Sequence, residues 1–219
     1  MTIAVADLFS RVDDLLLDPD KVRWPAAERI RWANEAMGAI LIRRPAAFPV
    51  NELHTLQAGT KQTIPAGGAQ LLDVVRNIGA DGLTPGRAIR RTDRQLLDDS
   101  DPDWHNRKAR EVIEHFTFDD RDPKSFYVYP PAVADLKVEL VHAKLPAPVA
   151  EADLDGAFAI GGEYLEATVN YMCYRAHLKD SEFSVSPMAA AFYQAFEAGL
   201  GLQTQVQHAN SPNLPETSV

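Results

Sequence analysis

Leu136-Lys137-Val138-Glu139-Leu140-Val141-His142-Ala143 sets Leu136, Val138 and Leu140 against Lys137, Glu139 and Val141, the period of two that a half-buried strand imposes on its side chains. Upstream, Phe126-Tyr127-Val128-Tyr129 is a second strand, closed by Pro130-Pro131, and residues 112–118 form a third. Farther back, Leu53-His54-Thr55-Leu56-Gln57 and Thr60-Lys61-Gln62-Thr63-Ile64 flank Ala58-Gly59. A glycine free to take positive φ there predicts a β-hairpin. Residues 70–77 read as a short helix, residues 79–86 as a Gly/Pro loop, and residues 87–99 as an extended segment running into an acidic turn before Trp104.

Both flanks of this β-rich stretch change period. Val5, Leu8, Phe9, Val12, Leu15 and Leu16 fall at three- and four-residue steps before Asp18-Pro19, and Ile30, Ala33, Met37, Ile40 and Leu41 repeat the stripe between Pro25 and Pro45. After Pro146-Ala147-Pro148, Leu165, Val169, Met172, Cys173 and Ala176 make a third stripe. Met188, Phe192, Ala195, Phe196 and Leu200 make a fourth, behind Ser186-Pro187. The expectation is an α+β fold: an antiparallel helical bundle from the N- and C-terminal helix pairs, a β-rich insertion and an extended C-terminal tail. Its bounds are residues 1–50 and 151–204 for the bundle, 51–150 for the insertion and 205–219 for the tail, where two prolines and polar residues show no periodicity.

The chain is 219 residues long, with 46% hydrophobic and 24% charged residues; these proportions exclude a wholly disordered or collagen-like chain. No apolar run approaches the roughly 20 residues needed to span a bilayer, and Met1-Thr2-Ile3-Ala4-Val5-Ala6-Asp7 has no signal-peptide pattern, so a chain made in a cytoplasm is expected. A single cysteine, Cys173, forms no internal disulfide. The net charge of −9 is uneven: residues 151–219 hold only Arg175 and Lys179 against nine acidic residues. Such a surface repels a phosphate backbone at long range. Arg87, Arg90, Arg91 and Arg94 could form a basic patch that overrides it, or they pair with Asp93, Asp98 and Asp99 or with a partner protein.

Catalytic and metal chemistry fails on spacing. Asp99-Ser100-Asp101-Pro102-Asp103 alternates oxygens as a calcium loop does, but Trp104 stands where the sharp-turn glycine belongs and Arg110 where the bidentate glutamate belongs. Asp119-Asp120-Arg121-Asp122-Pro123 reads as a turn between strands. His54, His105, His115, His142, His177 and His208 never combine in a ligand motif. Gly67-Gly68, Gly161-Gly162 and Gly199-Leu200-Gly201 lack the context of phosphate loops. No catalytic residue, metal site or cofactor is expected. The aromatic run from Phe126 to Tyr129 could stack bases, but packing of a core and a subunit contact is the favoured use.

The middle of the chain resembles the head-to-tail adaptor proteins of tailed bacteriophages. The resemblance is carried by Arg91-Thr92-Asp93-Arg94-Gln95-Leu96-Leu97-Asp98, Pro102-Asp103-Trp104-His105, His115-Phe116-Thr117-Phe118-Asp119 and Arg121-Asp122-Pro123-Lys124-Ser125-Phe126-Tyr127-Val128-Tyr129-Pro130-Pro131. Two helices precede Leu56-Gln57-Ala58-Gly59-Thr60-Lys61-Gln62 and two follow Pro148, as in that family. The resemblance implies a virion neck protein, present in the host cytoplasm during assembly, that forms a ring, usually of twelve copies, between the portal protein and a tail nozzle or tail-tube protein. Genomic DNA would pass through an acidic lumen without sequence-specific binding, and no membrane is involved. On this basis Gln205, Val206, Leu214 and Val219 are expected on the portal, Phe126, Tyr127 and Tyr129 on the tail-side ring, and Arg90, Arg91, Arg94 and Trp104 between subunits. Two alternatives stand beside it: a minor tail or head-completion protein of another neck ring, and a nucleic-acid-binding protein or enzyme using the aromatic strand and arginines as a groove.

Overall fold

The computed structural model describes residues 3–151, 155–179 and 186–210. They divide into two compact units, Met1–Arg44 with Pro146–Val219, and Pro45–Leu145.

The second unit is a pair of four-stranded sheets. Strands β2 (Pro49–Thr55), β9 (Lys137–Lys144), β4 (Gly68–Ile78) and β5 (Pro85–Ala88) form one, and β3 (Gly59–Thr63), β8 (Ser125–Ala132), β7 (His115–Phe118) and β6 (Arg90–Arg91) the other. All pairs are antiparallel except β6–β7. Their core includes Leu56, Leu71, Val74, Phe116, Phe126, Val128, Val138 and Leu140.

Four expectations change here, the first being that residues 87–99 are not extended throughout, since Arg94–Ser100 form a helix capped by Asp93. The stretch at residues 70–77 is not a helix but the middle of β4, and the cause of the misleading spacing is visible in its register. Against eight residues of β9, β4 spends eleven, with shifts between Gly68 and Gln70, Leu71 and Asp73, and Val74 and Arg76. Each bulge adds one residue, so buried positions fall at Gly68, Leu71, Val74 and Asn77, a three-residue step that imitates a helix. The expected hairpin of β2 and β3 is also absent. β2 pairs with β9 and β3 with β8, so the chain changes sheets at Leu56 while Gly59 takes φ +104°. A second sheet change, at Asp135 (φ +63°), lies beside it: Leu56 N–H donates to Leu136 C=O at 2.7 Å and Asp135 N–H to Leu56 C=O at 3.2 Å. Finally, Pro130 and Pro131 lie within β8 rather than ending it, and the Tyr129–Pro130 bond is cis. Prolines cannot donate, and this stretch of β8 supplies acceptors: the N–H groups of Glu114 and Arg110 bond the carbonyls of Tyr129 and Pro131 at 2.8 Å.

In the first unit, α1 (Val5–Leu16), α2 (Ala26–Arg43), α4 (Leu165–Leu178) and α5 (Ser186–Asn210) join a two-stranded ribbon of β1 (Ile3–Ala4) and β10 (Ala157–Phe158). The expected antiparallel bundle built from two helix pairs is overturned. The main contacts of α1 and α2 are with α4 rather than with each other. α4 buries Ala167, Thr168, Val169, Tyr171, Met172, Cys173, Ala176 and His177, well over half its circumference, because three helices cover it. The whole is α+β with a dominant β-rich core, and five helices among the described residues when α3 (Arg94–Ser100) is included. The tail expected from residue 205 is corrected too: α5 continues through Gln205 and Val206 to Asn210. Leu214 and Val219 lie outside the described residues.

Candidate functional site

The inward face of the second sheet is fixed by alternation. Phe126 and Val128 of β8 point into the core with Phe116 of β7, so Tyr127 and Tyr129, opposite Thr117 and His115, face outward. A short segment covers them. Asp93 caps α3 by accepting the Gln95 N–H at 2.9 Å, and the chain then turns through the 3-10 residues Trp104–Asn106. The Trp104 indole is fully buried, donates to Asp98 at 2.8 Å, and meets the edges of Tyr127 and Tyr129 at ring distances of 6.2 and 6.3 Å. His105 stacks on Trp104 at 3.7 Å and shares a 2.8 Å hydrogen bond with Thr60 of β3. The Asp99–Asp103 stretch is thus a structural turn: Asp101 accepts two hydrogen bonds from Arg107, at 2.7 and 2.9 Å, which hold its carboxyl below the usual range.

Of the residues expected at contacts, Phe126 and Trp104 are fully buried within the chain itself. Tyr127 and Tyr129 are half-buried under the α3 segment. Arg94 lies over the Tyr127 ring at 5.4 Å and pairs with Asp98 at 3.4 Å. Arg91 lies over Phe118 at 4.5 Å. Arg90 is exposed on the edge strand β6, in register with His115. Arg90 and Arg91 thus lie on the edge strand of the second sheet, Arg94 on α3 and Arg87 on β5 of the first sheet, and of these four Arg91 and Arg94 are set over aromatic rings. Beside Arg90, whose N–H donates to Glu114 C=O, the Arg87 and Arg110 side chains approach one Glu114 oxygen at 3.7 and 3.6 Å.

Among the described residues no group of three or more His, Cys, Asp or Glu could hold a metal ion. Cys173 is buried and its thiol is pushed up to about 12 by loss of solvent, with Arg29 opposing; it stays a thiol at neutral pH. A shallow cleft on the helical unit is lined by Glu28, Arg31, Trp32, Arg175, Leu178 and Lys179, where Glu28 already holds Lys179 at 2.9 Å.

Several organising polar residues escaped sequence reasoning. Arg29 is fully buried and binds Asp13, the Asp18 carboxylate at 3.0 Å, and the carbonyls of Asp18 and Trp24 at 2.8 Å. Asp18 also accepts the N–H groups of Val22, Arg23 and Trp24. A signal was present: Arg29 sits three and four residues before Trp32 and Ala33, on the stripe itself. Asn77, buried on β4, donates to the Arg87 and Ile113 carbonyls and accepts the Ile113 N–H, each at 2.8 Å. Its only signal was a helix-like spacing that pointed the wrong way.

A family model described as SU10 adaptor protein matches residues 3–216. The search of curated proteins found no match.

Proposed function

The chain belongs to the SU10 adaptor protein family of phage head-to-tail adaptors, and on that premise we propose that it joins the portal to the tail as a ring, most simply of twelve copies, around the DNA exit channel. The protein is thus a phage structural component of the virion; its ring, its portal and tail-nozzle or tail-tube partners, and its place in the neck are the proposed part. The single observation that carries the proposal is the extent of the family match, from residue 3 to residue 216. It spans both compact units and runs past the end of α5, so the likeness is to the whole molecule and not to one motif.

Within that role the C-terminal segment, residues 205–219 with Gln205, Val206, Leu214 and Val219, docks on the portal. Its composition supports this: beyond the helical Gln205 and Val206, Leu214 and Val219 are separate apolar points among polar residues, suited to small pockets on a partner. The β-rich unit, with the segment that covers Tyr127 and Tyr129, meets the tail-side ring. The excess of acidic residues in the last third keeps exiting DNA from adhering. The test is deletion of residues 206–219. The truncated protein should fold with nearly unchanged stability yet bind portals at least tenfold more weakly and yield heads that leak DNA or lack tails. Portal binding at the full-length level would assign the contact to the helical unit instead.

A further inference from the structure

We propose that the arginine cluster of Arg87, Arg90 and Arg110 around Glu114 is the face on which a second copy of this chain docks, through its exposed carboxylates Glu151 and Asp155. The inference rests on the ring function and names the chemistry of one contact in it.

The cluster is out of proportion to its counter-charge. Arg87 and Arg110, with side chains 57% and 66% exposed, both lean on the single carboxylate of Glu114 at 3.6–3.7 Å. These distances are too long for good hydrogen bonds, so most of each guanidinium fork is unused. Arg90 is exposed on the adjacent edge strand and makes no ion pair among the described residues. Lys108 adds a positive charge and Glu111 a negative one nearby in sequence, leaving a local excess of two. In a chain with a net charge of −9 that encloses DNA, an open arginine cluster would catch phosphate; an acidic neighbour neutralises it.

The complementary surface is on the same chain. Glu151 and Asp155 are exposed and form no ion pair among the described residues, and Glu166 lies exposed in the first turn of α4. Arginine suits such a contact because its planar fork binds carboxylates in pairs and loses little hydration on burial. One basic and one acidic face on each copy make a head-to-tail contact, the kind that closes into a ring.

The test uses full-length protein added to portal-bearing heads, with ring occupancy counted by electron microscopy and monomer folding checked by circular dichroism. All the altered side chains are exposed, so the monomers should stay folded. The variant Arg87→Glu/Arg90→Glu/Arg110→Glu and the variant Glu151→Lys/Asp155→Lys should each lower occupancy at least tenfold, and combining the five substitutions should restore it. Wild-type occupancy should also fall as salt rises. Rings formed normally by both reversed variants would overturn the docking face while leaving the adaptor function intact, as would failure of the combined variant to restore assembly. Normal rings with lost DNA affinity in the arginine variant would assign the cluster to phosphate and equally overturn it. Absence of rings from the wild-type protein would remove the adaptor function itself, and the docking face with it.

Discussion

Arg29 and Asn77 show how single polar residues hold this chain together. Burying a guanidinium is costly, and its desolvation lowers its own pKa from the ordinary value; the contact survives because Asp13, Asp18 and two backbone carbonyls satisfy it. Arg29→Met should therefore cost about 3–5 kcal/mol, the penalty for breaking a buried pair from one side, read as a fall in Tm. Asn77→Leu orphans the Ile113 N–H and two carbonyls and should cost about 3 kcal/mol by denaturant titration. Acid has a defined effect as well. Burial holds His54 and His177 below the ordinary histidine pKa of 6.5, so the folded state resists protonation that the unfolded chain accepts. Stability is complete above about pH 6.5 and declines as pH falls below it, until the folded pKa values are passed. Changing both residues to Phe should flatten the fall in Tm that sets in below about pH 6.5.

The helices and strands differ in how plainly their sequence announces them. α1 buries Val5, Leu8, Phe9, Val12 and Leu16 as its stripe demands, with Leu15 left 51% exposed. β8 and β9 alternate as written. β4 was illegible because its bulges convert a two-residue period into three, and the β2–β3 connection because a sheet change at Leu56 and a hairpin share the same glycine signal. At the contact candidates, alternation could separate Phe126 from Tyr127 but could not reveal that the α3 segment would fold over Tyr127 and bury Trp104; that depends on contacts distant in sequence. Gly68 tests the register of β4. A Cβ there would lie 2.7 Å from Ile64 Cδ1, 2.8 Å from His142 Nδ1 and 3.0 Å from the Pro65 carbonyl oxygen. Gly68→Ala should cost about 1–3 kcal/mol, as overpacking does, whereas Gly38→Ala, which meets nothing within 4 Å in the middle of α2, should stabilise by up to about 1 kcal/mol.

For the whole molecule, the claim that matters is an adaptor ring between portal and tail. Two units with their own cores, a family match across both, and a net negative charge concentrated in the last third, where basic residues are scarce, fit a part in an assembly. Chemistry contributes nothing to that claim: Cys173 stays protonated, and the acidic turn at Asp101 is committed to Arg107. The most direct measurement is electron microscopy of the purified full-length protein mixed with its portal, with rotational averages taken down the portal axis. A closed ring with one adaptor copy per portal subunit, seated on one end of the portal, is the predicted result. Portals that remain bare at saturating protein, or that bind scattered copies without closing a ring, would contradict it.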